Sequence, residues 1–367
     1  MIGRLLFTVW TLCVGFPVQA QQTPFLDPIF GTVVTSGIQY GTGSVGNPAS
    51  GQIPLHLDVY QPTGAGLPAK LPGFVVIHGG GFIGGSKTSV TIVQLCQAYA
   101  KRGYVTVSIN YRLAGDDPTL ESGPAPGTTA VQRSMNAAAQ DAAKALRWLR
   151  ANAASFNLDP GRIAIGGSSA GAITSLFSAY QEADTIGPNA EVSVVLDLWG
   201  GMYGAESLVD VGDPPVFIVH GTADPTVPVE LSEDLVSQLQ ASAVDYRYFP
   251  IEDAGHGPWS RFFNDQVGGK TIDRHCAEFF FKKLGLLEIY PGQDAAPSVV
   301  INKAANTVTA SVETDPNFLY QLFSSDNLTD WDPAHPVPAA GDGNPLEMIM
   351  GPIGTRGFYR WRISPAF

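Results

Sequence analysis

The sequence predicts an α/β protein with a mostly parallel central sheet and helices on both faces, followed by a small all-β module. Two observations lead to this prediction. Between residues 74 and 284, short apolar runs of strand type alternate with segments of helical spacing, as expected of parallel strands joined by crossover helices. From residue 298 onwards, short alternating segments separated by turn residues replace this pattern, which indicates antiparallel strands.

In chain order, the first predicted strands are 33–40 and 53–60, joined as a hairpin by the turn-rich residues between them. The later predicted strands are 74–77, 105–109, 163–165, 192–199, 215–220 and 245–249. The predicted helices carry apolar residues at helical spacing, and they are 88–102, 136–154, 170–180, 228–241 and 271–284. Residues 114–129 are rich in Gly, Pro and Asp and are long enough for a functional surface loop.

The composition is that of an acidic globular protein. Of its 367 residues, 44% are hydrophobic and 15% are charged, and the formal net charge is -12 at pH 7. This charge argues against a nucleic-acid partner, because binding to phosphates requires clustered Lys and Arg side chains. It also argues against binding to anionic membrane surfaces.

Residues 1–20 are predicted to be a cleavable signal peptide, which would make the protein secreted or periplasmic. Arg4 provides the positive charge, residues 5–16 form the apolar segment, and the small residues around Ala20 provide a cleavage site before Gln21. A membrane anchor is the alternative, but the apolar run is well short of the ~20 residues that span a bilayer. We therefore expect export without insertion into the membrane.

The strongest motif is Gly167-Ser168-Ser169-Ala170-Gly171, which follows the predicted strand 163–165 and fits G-x-S-x-G. In this motif the serine sits on a tight turn between a strand and a helix, where flanking glycines avoid crowding. The N-terminus of the following helix, with its free N–H groups and positive dipole end, lies beneath the hydroxyl. Ser169 is therefore the predicted nucleophile.

A second motif, His78-Gly79-Gly80-Gly81, follows the predicted strand 74–77. Glycines allow the backbone to approach a substrate carbonyl, and an N–H donor at such a place stabilises the developing oxyanion by about 3–4 kcal/mol. We assign the backbone N–H groups of Gly80, Gly81 and Ala170 to an oxyanion hole. A phosphate-binding loop is the alternative, but the G-K-[ST] element of such loops is missing.

Two later loops supply an acid and a base. Asp224 follows the predicted strand 215–220 and His256 follows the strand 245–249, so the chain order Ser169, Asp224, His256 is that of a nucleophile-elbow triad. His256 would take the Ser169 proton and later give it to the leaving alcohol. Asp224 would fix the imidazole tautomer and stabilise its charged form.

Other acids and histidines are weaker candidates. Asp253 is so close to His256 in sequence that we expect it to shape the loop, and Asp213 precedes a strand, which is the wrong edge of the sheet. His78 and His220 end strands within glycine motifs, and we expect both to position loops.

These motifs resemble those of the α/β-hydrolase superfamily, near its hormone-sensitive-lipase-like and feruloyl- or acetylxylan-esterase-like branches. The resemblance also includes Asn110-Tyr111-Arg112-Leu113, Asp141 and Leu158-Asp159-Pro160-Gly161-Arg162-Ile163, and it covers about residues 33–284. It implies an α/β-hydrolase fold and hydrolysis of carboxylic esters through an acyl-enzyme on Ser169. Short-acyl or aromatic esters, either small molecules or linked to plant polysaccharide, are the implied substrates, and neither a metal nor another cofactor is implied.

Two other functions stay open. A serine peptidase of the prolyl-oligopeptidase type has the same triad order, although such enzymes carry a β-propeller for which no N-terminal region here is long enough. A non-catalytic binding protein would be favoured by an incomplete triad, whereas all three residues are present.

Four residues are candidate walls of the substrate pocket: Phe82, Leu113, Trp199 and Trp259. Each lies just past a predicted strand or near a triad residue, and core packing is the alternative for each. Residues 200–215 are too few for the helical cap that lipases often insert at this point. We therefore expect an open entrance, bounded by residues 115–129 and the N-terminal strands.

The predicted domains are a catalytic domain at 21–288, a linker at 289–297 and a β-rich module at 298–367. Trp331, Tyr359 and Trp361 of this module are candidates either for carbohydrate binding or for the core of a small sandwich. In the implied fold, the helices that carry Cys96 and Cys276 cover the same face of the sheet. In an exported protein these two residues either form a disulfide or stay as buried thiols.

Overall fold

A computed structural model describes residues 23–120, 129–181 and 189–289, and parts of the C-terminal region: 298–302, 307–312, 314, 316–325, 332–333, 338–341, 346–350 and 358–367. The chain divides into two compact units, Thr23–Asp294 and a second that contains Ala295–Phe367. The predicted signal peptide and residues 290–297 of the predicted linker lie outside the described residues.

The first unit is built on an eight-stranded sheet. Its strands are β1 Gly31–Val45, β2 Gly51–Thr63, β3 Leu71–Ile77, β4 Val105–Ile109, β5 Leu158–Ser168, β6 Val194–Leu198, β7 Val216–Gly221 and β8 Tyr246–Ile251. The order is β1-β2-β4-β3-β5-β6-β7-β8. The pairs β1–β2 and β2–β4 are antiparallel and all the others are parallel, so the predicted α/β fold class is confirmed.

Helices cover both faces of the sheet, which is why β3, β4, β6 and β7 are buried along their whole length. The described α-helices are α1 Val90–Ala100, α2 Ala130–Ala151, α3 Ala170–Tyr180, α4 Glu230–Ala241, α5 Trp259–Asn264 and α6 Ile272–Lys283. Short 3-10 helices lie at Ala114–Asp116, Ala153–Phe156, Glu206–Leu208 and Leu286–Ile289. In the part of the chain that the structure describes, no helix has both the length and the apolar character needed to cross a membrane.

The start of α2 differs from the prediction, which placed it at residue 136. The helix begins six residues earlier because Thr129 and Gln132 form a capping box, in which each side chain bonds to the other residue's backbone N–H. The first turn is exposed at Val131 and Gln132, so apolar periodicity gives no signal there. Helix α5 and the small hairpin of β9 Gln266–Val267 and β10 Lys270–Thr271 were not predicted either.

The two cysteines belong to helices α1 and α6, which cover one face of the sheet. Phe74 of β3 packs edge to face against Tyr99 of α1 and Phe280 of α6, at centroid distances of 5.1 and 5.3 Å. Cys96 and Cys276 are buried and free, so the disulfide alternative is wrong and the alternative of two thiols holds. Burial raises the pKa of both thiols, which leaves them as inert core residues.

The second unit consists of small antiparallel sheets, as the sequence predicts. Its strands are β11 Ser298–Asn302, β12 Thr307–Val312, β13 Phe318–Ser325, β14 Asp332–Pro333, β15 Ala339–Ala340, β16 Leu346–Met350 and β17 Phe358–Pro365. One sheet has the order β11-β12-β16, and in the other β13 pairs with β14, β15 and β17. Trp361 is half-buried opposite Leu322, whereas Trp331 and the side chain of Tyr359 lie outside the described residues. The choice between a core and a carbohydrate site stays a prediction.

Candidate active site

Ser169 occupies the turn between β5 and α3 with φ 54° and ψ −123°, a backbone conformation that is strained for any residue with a side chain. The two flanking glycines are required by the close approach of strand β3. A Cβ on Gly167 or Gly171 would lie 2.2 or 2.1 Å from the carbonyl oxygen of Ile77. The tight packing of this turn against β3 thus holds the serine hydroxyl above the carboxyl end of the sheet.

The three residues predicted as a triad lie together at this edge. His256 Nε2 is 3.0 Å from Ser169 Oγ, and His256 Nδ1 is 2.7 Å from Asp224 Oδ2. The Asp224 side chain is fully buried, whereas the His256 side chain is 24% exposed, so the ring is accessible to substrate and water. The geometry lets His256 accept the Ser169 proton while Asp224 keeps the imidazole in the required tautomer.

The turn after β7 holds Asp224 as a carboxylate. Burial would raise its pKa, but the hydrogen bonds from His256 and from the backbone N–H groups of Thr226 and Val227 outweigh burial and hold the pKa below its ordinary value. The two N–H groups donate to Oδ1 at 2.8 and 3.1 Å, whereas Oδ2 faces His256 Nδ1 at 2.7 Å and His220 Nε2 at 3.4 Å.

His220 fixes the same turn from below, in agreement with the loop-positioning role expected for it. Its Nε2 lies 2.9 Å from the carbonyl oxygen of Val227, and its Nδ1 lies 2.7 Å from the hydroxyl of Ser232 in α4. Burial lowers the pKa of His220, so the ring is neutral, with Nε2–H donating to Val227 and Nδ1 accepting from Ser232.

The glycine loop after β3 adopts the left-handed conformations that its sequence suggests. Gly80 and Gly81 have φ values of 116° and 62°, and a Cβ on Gly80 would meet the carbonyl oxygen of Gly84 at 2.2 Å. His78 stacks on Tyr111 at 4.4 Å, and its Nδ1–H donates to the carbonyl of Gly79 at 2.7 Å.

The oxyanion donors assigned from the sequence surround Ser169: Gly80 and Gly81 line one cavity beside it, and Gly81 and Ala170 line a second. No backbone hydrogen bond among the described residues uses the N–H groups of Gly80, Gly81 or Ala170. A Cβ on Gly79 would lie 3.2 Å from the Ser169 Cβ, so this loop packs directly against the nucleophile. The arrangement can therefore present two backbone segments to one carbonyl oxygen.

The residues Arg112 and Asp141, which the family resemblance includes, lie behind this loop. They form a fully buried ion pair at 2.8 Å. The Ser134 hydroxyl of α2 donates to the carbonyl oxygens of Arg112 at 2.6 Å and of Phe82 at 3.3 Å. This network ties the glycine loop to α2 and keeps it rigid.

Neither of the competing acids, Asp253 and Asp213, takes the place of Asp224 beside His256 Nδ1. The N–H of Asp253 donates to the Thr222 hydroxyl, and the carboxylate of Asp213 accepts from the N–H of Asp210. Asp213 thus acts within its own loop, and Asp253 joins the loop after β8 to the loop after β7 through its backbone.

Two cavities meet at Ser169, and Gly81, Ser169 and Thr226 line both of them. The first, which we name the His256 cavity, has a volume of about 460 Å³, and among its lining residues are Gly80, Thr91, Ile92, Trp199, His256 and Trp259. The second, which we name the Met135 cavity, has a volume of about 540 Å³, and among its lining residues are Phe82, Val131, Met135, Ala170, Ile173 and Val227.

Three of the four predicted pocket residues line these cavities. Phe82 lines the Met135 cavity, and Trp199 and Trp259 line the His256 cavity, where their rings meet edge to face at 5.0 Å. Leu113 packs against the core and lines neither cavity, so the core alternative holds for it. Sequence reasoning missed Met135, which lies in the part of α2 that was not predicted, although the Thr129 capping box was a usable signal.

The sequence of this chain is similar to those of known hydrolases. Residues 57–202 match the family described as BD-FAE, and residues 197–286 match the prolyl oligopeptidase family. The chain is 38% identical to Lipase 1 of Geotrichum candidum over 128 residues, which are 33% of this chain and 21% of the lipase. It is 34% identical to carboxylesterase NlhH of Mycobacterium tuberculosis over 120 residues, 32% of each chain. The matched part thus spans about a fifth to a third of these relatives.

Solved structures show the same fold. Thermogutta terrifontis esterase 2, phosphonylated by cyclosarin, superposes with a TM-score of 0.50 at 23% identity, covering 71% of this chain and 94% of the esterase. A truncated carbohydrate esterase from gut microbiota gives a TM-score of 0.50 at 20% identity, covering 72% and 100%.

The sheet order, the elbow and the superposed structures together define the class: the chain has the α/β-hydrolase fold. Over about a third of its length, the sequence is similar to lipases and carboxylesterases, which are relatives of the kind that the motifs predicted.

Proposed function

We propose that the protein is a secreted serine carboxylesterase that hydrolyses short-acyl or aromatic esters, including feruloyl or acetyl groups on plant polysaccharide. One observation carries the proposal: the hydrogen-bonded chain Ser169–His256–Asp224 at 3.0 and 2.7 Å, beside the glycine loop. The nucleophile, base and acid of acyl transfer thus have the geometry that the reaction requires.

The proposed reaction has two halves. Ser169 Oγ attacks the ester carbonyl as its proton passes to His256 Nε2, and the N–H groups of Gly80, Gly81 and Ala170 bind the oxyanion. The ester C–O bond then breaks, and the leaving alcohol takes the proton from His256. A water molecule attacks the acyl-enzyme with His256 as base, which releases the carboxylic acid and restores the Ser169 hydroxyl.

A peptidase activity is the second candidate, because residues 197–286 match the prolyl oligopeptidase family. That segment holds Asp224 and His256, which esterases and peptidases of this fold share. The segment with the nucleophile and the glycine loop instead matches the family described as BD-FAE, and the chain is similar to lipases and carboxylesterases over about a third of its length, which favours esters. Peptidyl-prolyl anilides would be cleaved only if the peptidase candidate is correct.

The finer substrate class is supported by two similarities to known proteins and by one prediction from the sequence. The match of residues 57–202 to BD-FAE and the similarity to a carbohydrate esterase both favour an ester on a carbohydrate. The predicted signal peptide favours an extracellular polymer. Release of ferulate or acetate from xylan by the purified enzyme tests the substrate, and a mature N-terminus at Gln21 tests the export.

The activity is tested with p-nitrophenyl acetate and butyrate. We expect Ser169→Ala to lower kcat/KM by at least ~1,000-fold, since it removes the nucleophile. Ser193→Ala is the matched control, because Ser193 lies just before β6 at the opposite end of the strands from Ser169. A wild-type protein that hydrolyses neither ester, or a Ser169→Ala variant as active as wild type, would overturn the proposed function.

A further inference from the structure

The two cavities at Ser169 differ in the chemistry of their walls. The His256 cavity adds the glycine loop, Thr91 and the edge-to-face pair of Trp199 and Trp259, so it offers hydroxyl and backbone groups beside aromatic rings. The Met135 cavity is walled chiefly by apolar side chains from α2, α3 and the segments after β3 and β7. An ester with two unlike halves therefore meets two unlike pockets.

Proton transfer decides which half enters which pocket. The leaving oxygen must come within hydrogen-bond reach of His256 Nε2, because that atom delivers the proton that completes C–O cleavage. His256 lines the first cavity, together with the neighbouring Gly257 and Trp259, and it is absent from the described lining of the second. The leaving alcohol thus points into the His256 cavity.

The acyl half must then take the remaining direction. Ala170, whose N–H is an assigned oxyanion donor, and Ile173 one turn along α3 both line the Met135 cavity. Ala170 and Ile173 are 1% and 4% exposed, so the cavity extends from the reacting carbonyl into a buried apolar wall. Phe82, also buried, faces them from the glycine loop.

We infer that the acyl group binds in the Met135 cavity and the leaving alcohol in the His256 cavity, so that among the proposed substrates the enzyme favours larger apolar and aromatic acyl groups over acetyl. This inference rests on the proposed function. The Met135 cavity, at about 540 Å³, is in the ~300–1,000 Å³ range of pockets for drug-sized ligands. An acetyl group would leave most of the apolar wall of the Met135 cavity without contact. Each methylene added to the acyl chain would make the binding free energy more favourable.

One pair of variants tests the assignment. Met135 and Thr91 are both half-buried, each on the first part of a helix, and each lines one cavity. Met135→Trp fills the acyl pocket and Thr91→Trp fills the alcohol pocket. Acyl selectivity is the kcat/KM ratio of p-nitrophenyl octanoate to acetate, and alcohol selectivity is the ratio of benzyl butyrate to ethyl butyrate.

We expect wild type to prefer octanoate to acetate by about tenfold or more, and Met135→Trp to lower that ratio by about tenfold or more. Thr91→Trp should instead lower the benzyl-to-ethyl ratio, with the acyl ratio within about twofold of wild type. An exchange of the two effects, or an acyl ratio that neither variant changes, overturns the assignment while leaving an active esterase. Absence of any ester hydrolysis by wild type overturns the proposed function instead.

A second variant covers the case in which the larger side chain prevents folding. Met135→Ala enlarges the acyl pocket, and we expect it to raise the ratio of decanoate to butyrate hydrolysis several-fold. A ratio equal to that of wild type would contradict the placement of the acyl chain against Met135.

Discussion

Two buried aspartates stand at the carboxyl ends of neighbouring strands, Asp197 in β6 and Asp224 just after β7. Asp224 receives two backbone N–H groups and the His256 ring, which hold its pKa below the ordinary value. Asp197 accepts a single N–H, from Gly200 at 2.8 Å, and its Oδ2 is buried without a partner in the described structure. Burial therefore raises the pKa of Asp197 to about 7.

Both side chains are buried, so burial does not identify the acid of the triad. The two aspartates differ in the number of hydrogen-bond donors that stabilise the carboxylate. A turn after a strand presents consecutive N–H groups to one carboxylate, and a position inside the strand does not, because its N–H groups belong to the sheet. Asp197 has another task. Its bond to Gly200 holds the turn in which Trp199, at φ 48°, leaves the sheet to line the His256 cavity.

The largest expected effect is the loss of activity when the Asp224 carboxylate is replaced. Asp224→Asn removes the charge that stabilises the imidazolium and favours the wrong tautomer of His256, so we expect kcat/KM to fall by about 10³–10⁴-fold. The measurement is steady-state hydrolysis of p-nitrophenyl butyrate.

Asp253→Asn is the matched control, since Asp253 is exposed and its bond to Thr222 uses the backbone N–H, which the substitution keeps. We expect its kcat/KM to stay within about threefold of wild type. A comparable loss of kcat/KM in both variants would contradict the specific role of the Asp224 carboxylate, because it would show that any change of an aspartate in these loops lowers activity.

A smaller effect, on stability, should come from Asp197. Its ordinary pKa of 3.8 applies in the unfolded chain, whereas the folded chain holds the proton up to about pH 7. Between these values the unfolded state binds fewer protons, so the free energy of unfolding falls as pH rises, by up to about 4 kcal/mol in total.

Asp197→Asn tests this effect because the amide oxygen can still accept the Gly200 N–H but carries no charge. We expect the free energy of unfolding of the variant not to show this decrease with pH. Relative to wild type, its stability should therefore rise by a few kcal/mol from pH 5 to pH 8. Urea unfolding at both values measures the difference. Parallel pH dependences of variant and wild type would show that Asp197 is already ionised at pH 5.

The sequence was sufficient for the fold and for the three triad positions because each has a local signal. The elbow glycines at 167 and 171 are needed by contacts with β3, and the apolar runs of β3, β4, β6 and β7 record burial on both faces. Strand order in the chain then places Asp224 and His256 on loops at the same sheet edge.

The cavity walls were not predictable to the same extent. Met135, Ile173 and Tyr203 line the Met135 cavity from three different segments, so no local pattern joins them. Asp197 reads as part of an apolar strand, and only the packed structure reveals that its second oxygen has no donor. Contacts between distant segments set these features, and a single sequence contains no direct record of them.

The smallest effect concerns the support beneath Asp224. Ser232→Ala removes the hydroxyl that donates to His220 Nδ1, while the His220 bond to Val227 stays, so we expect a loss of about 1 kcal/mol in the free energy of unfolding. Ser237, an exposed serine of the same helix, gives the control Ser237→Ala, with an expected change below about 0.5 kcal/mol. Because two N–H groups and His256 still bind Asp224, kcat/KM should change less than about threefold. A tenfold loss of activity in Ser232→Ala would mean that the position of Asp224 depends on His220 rather than on its own turn.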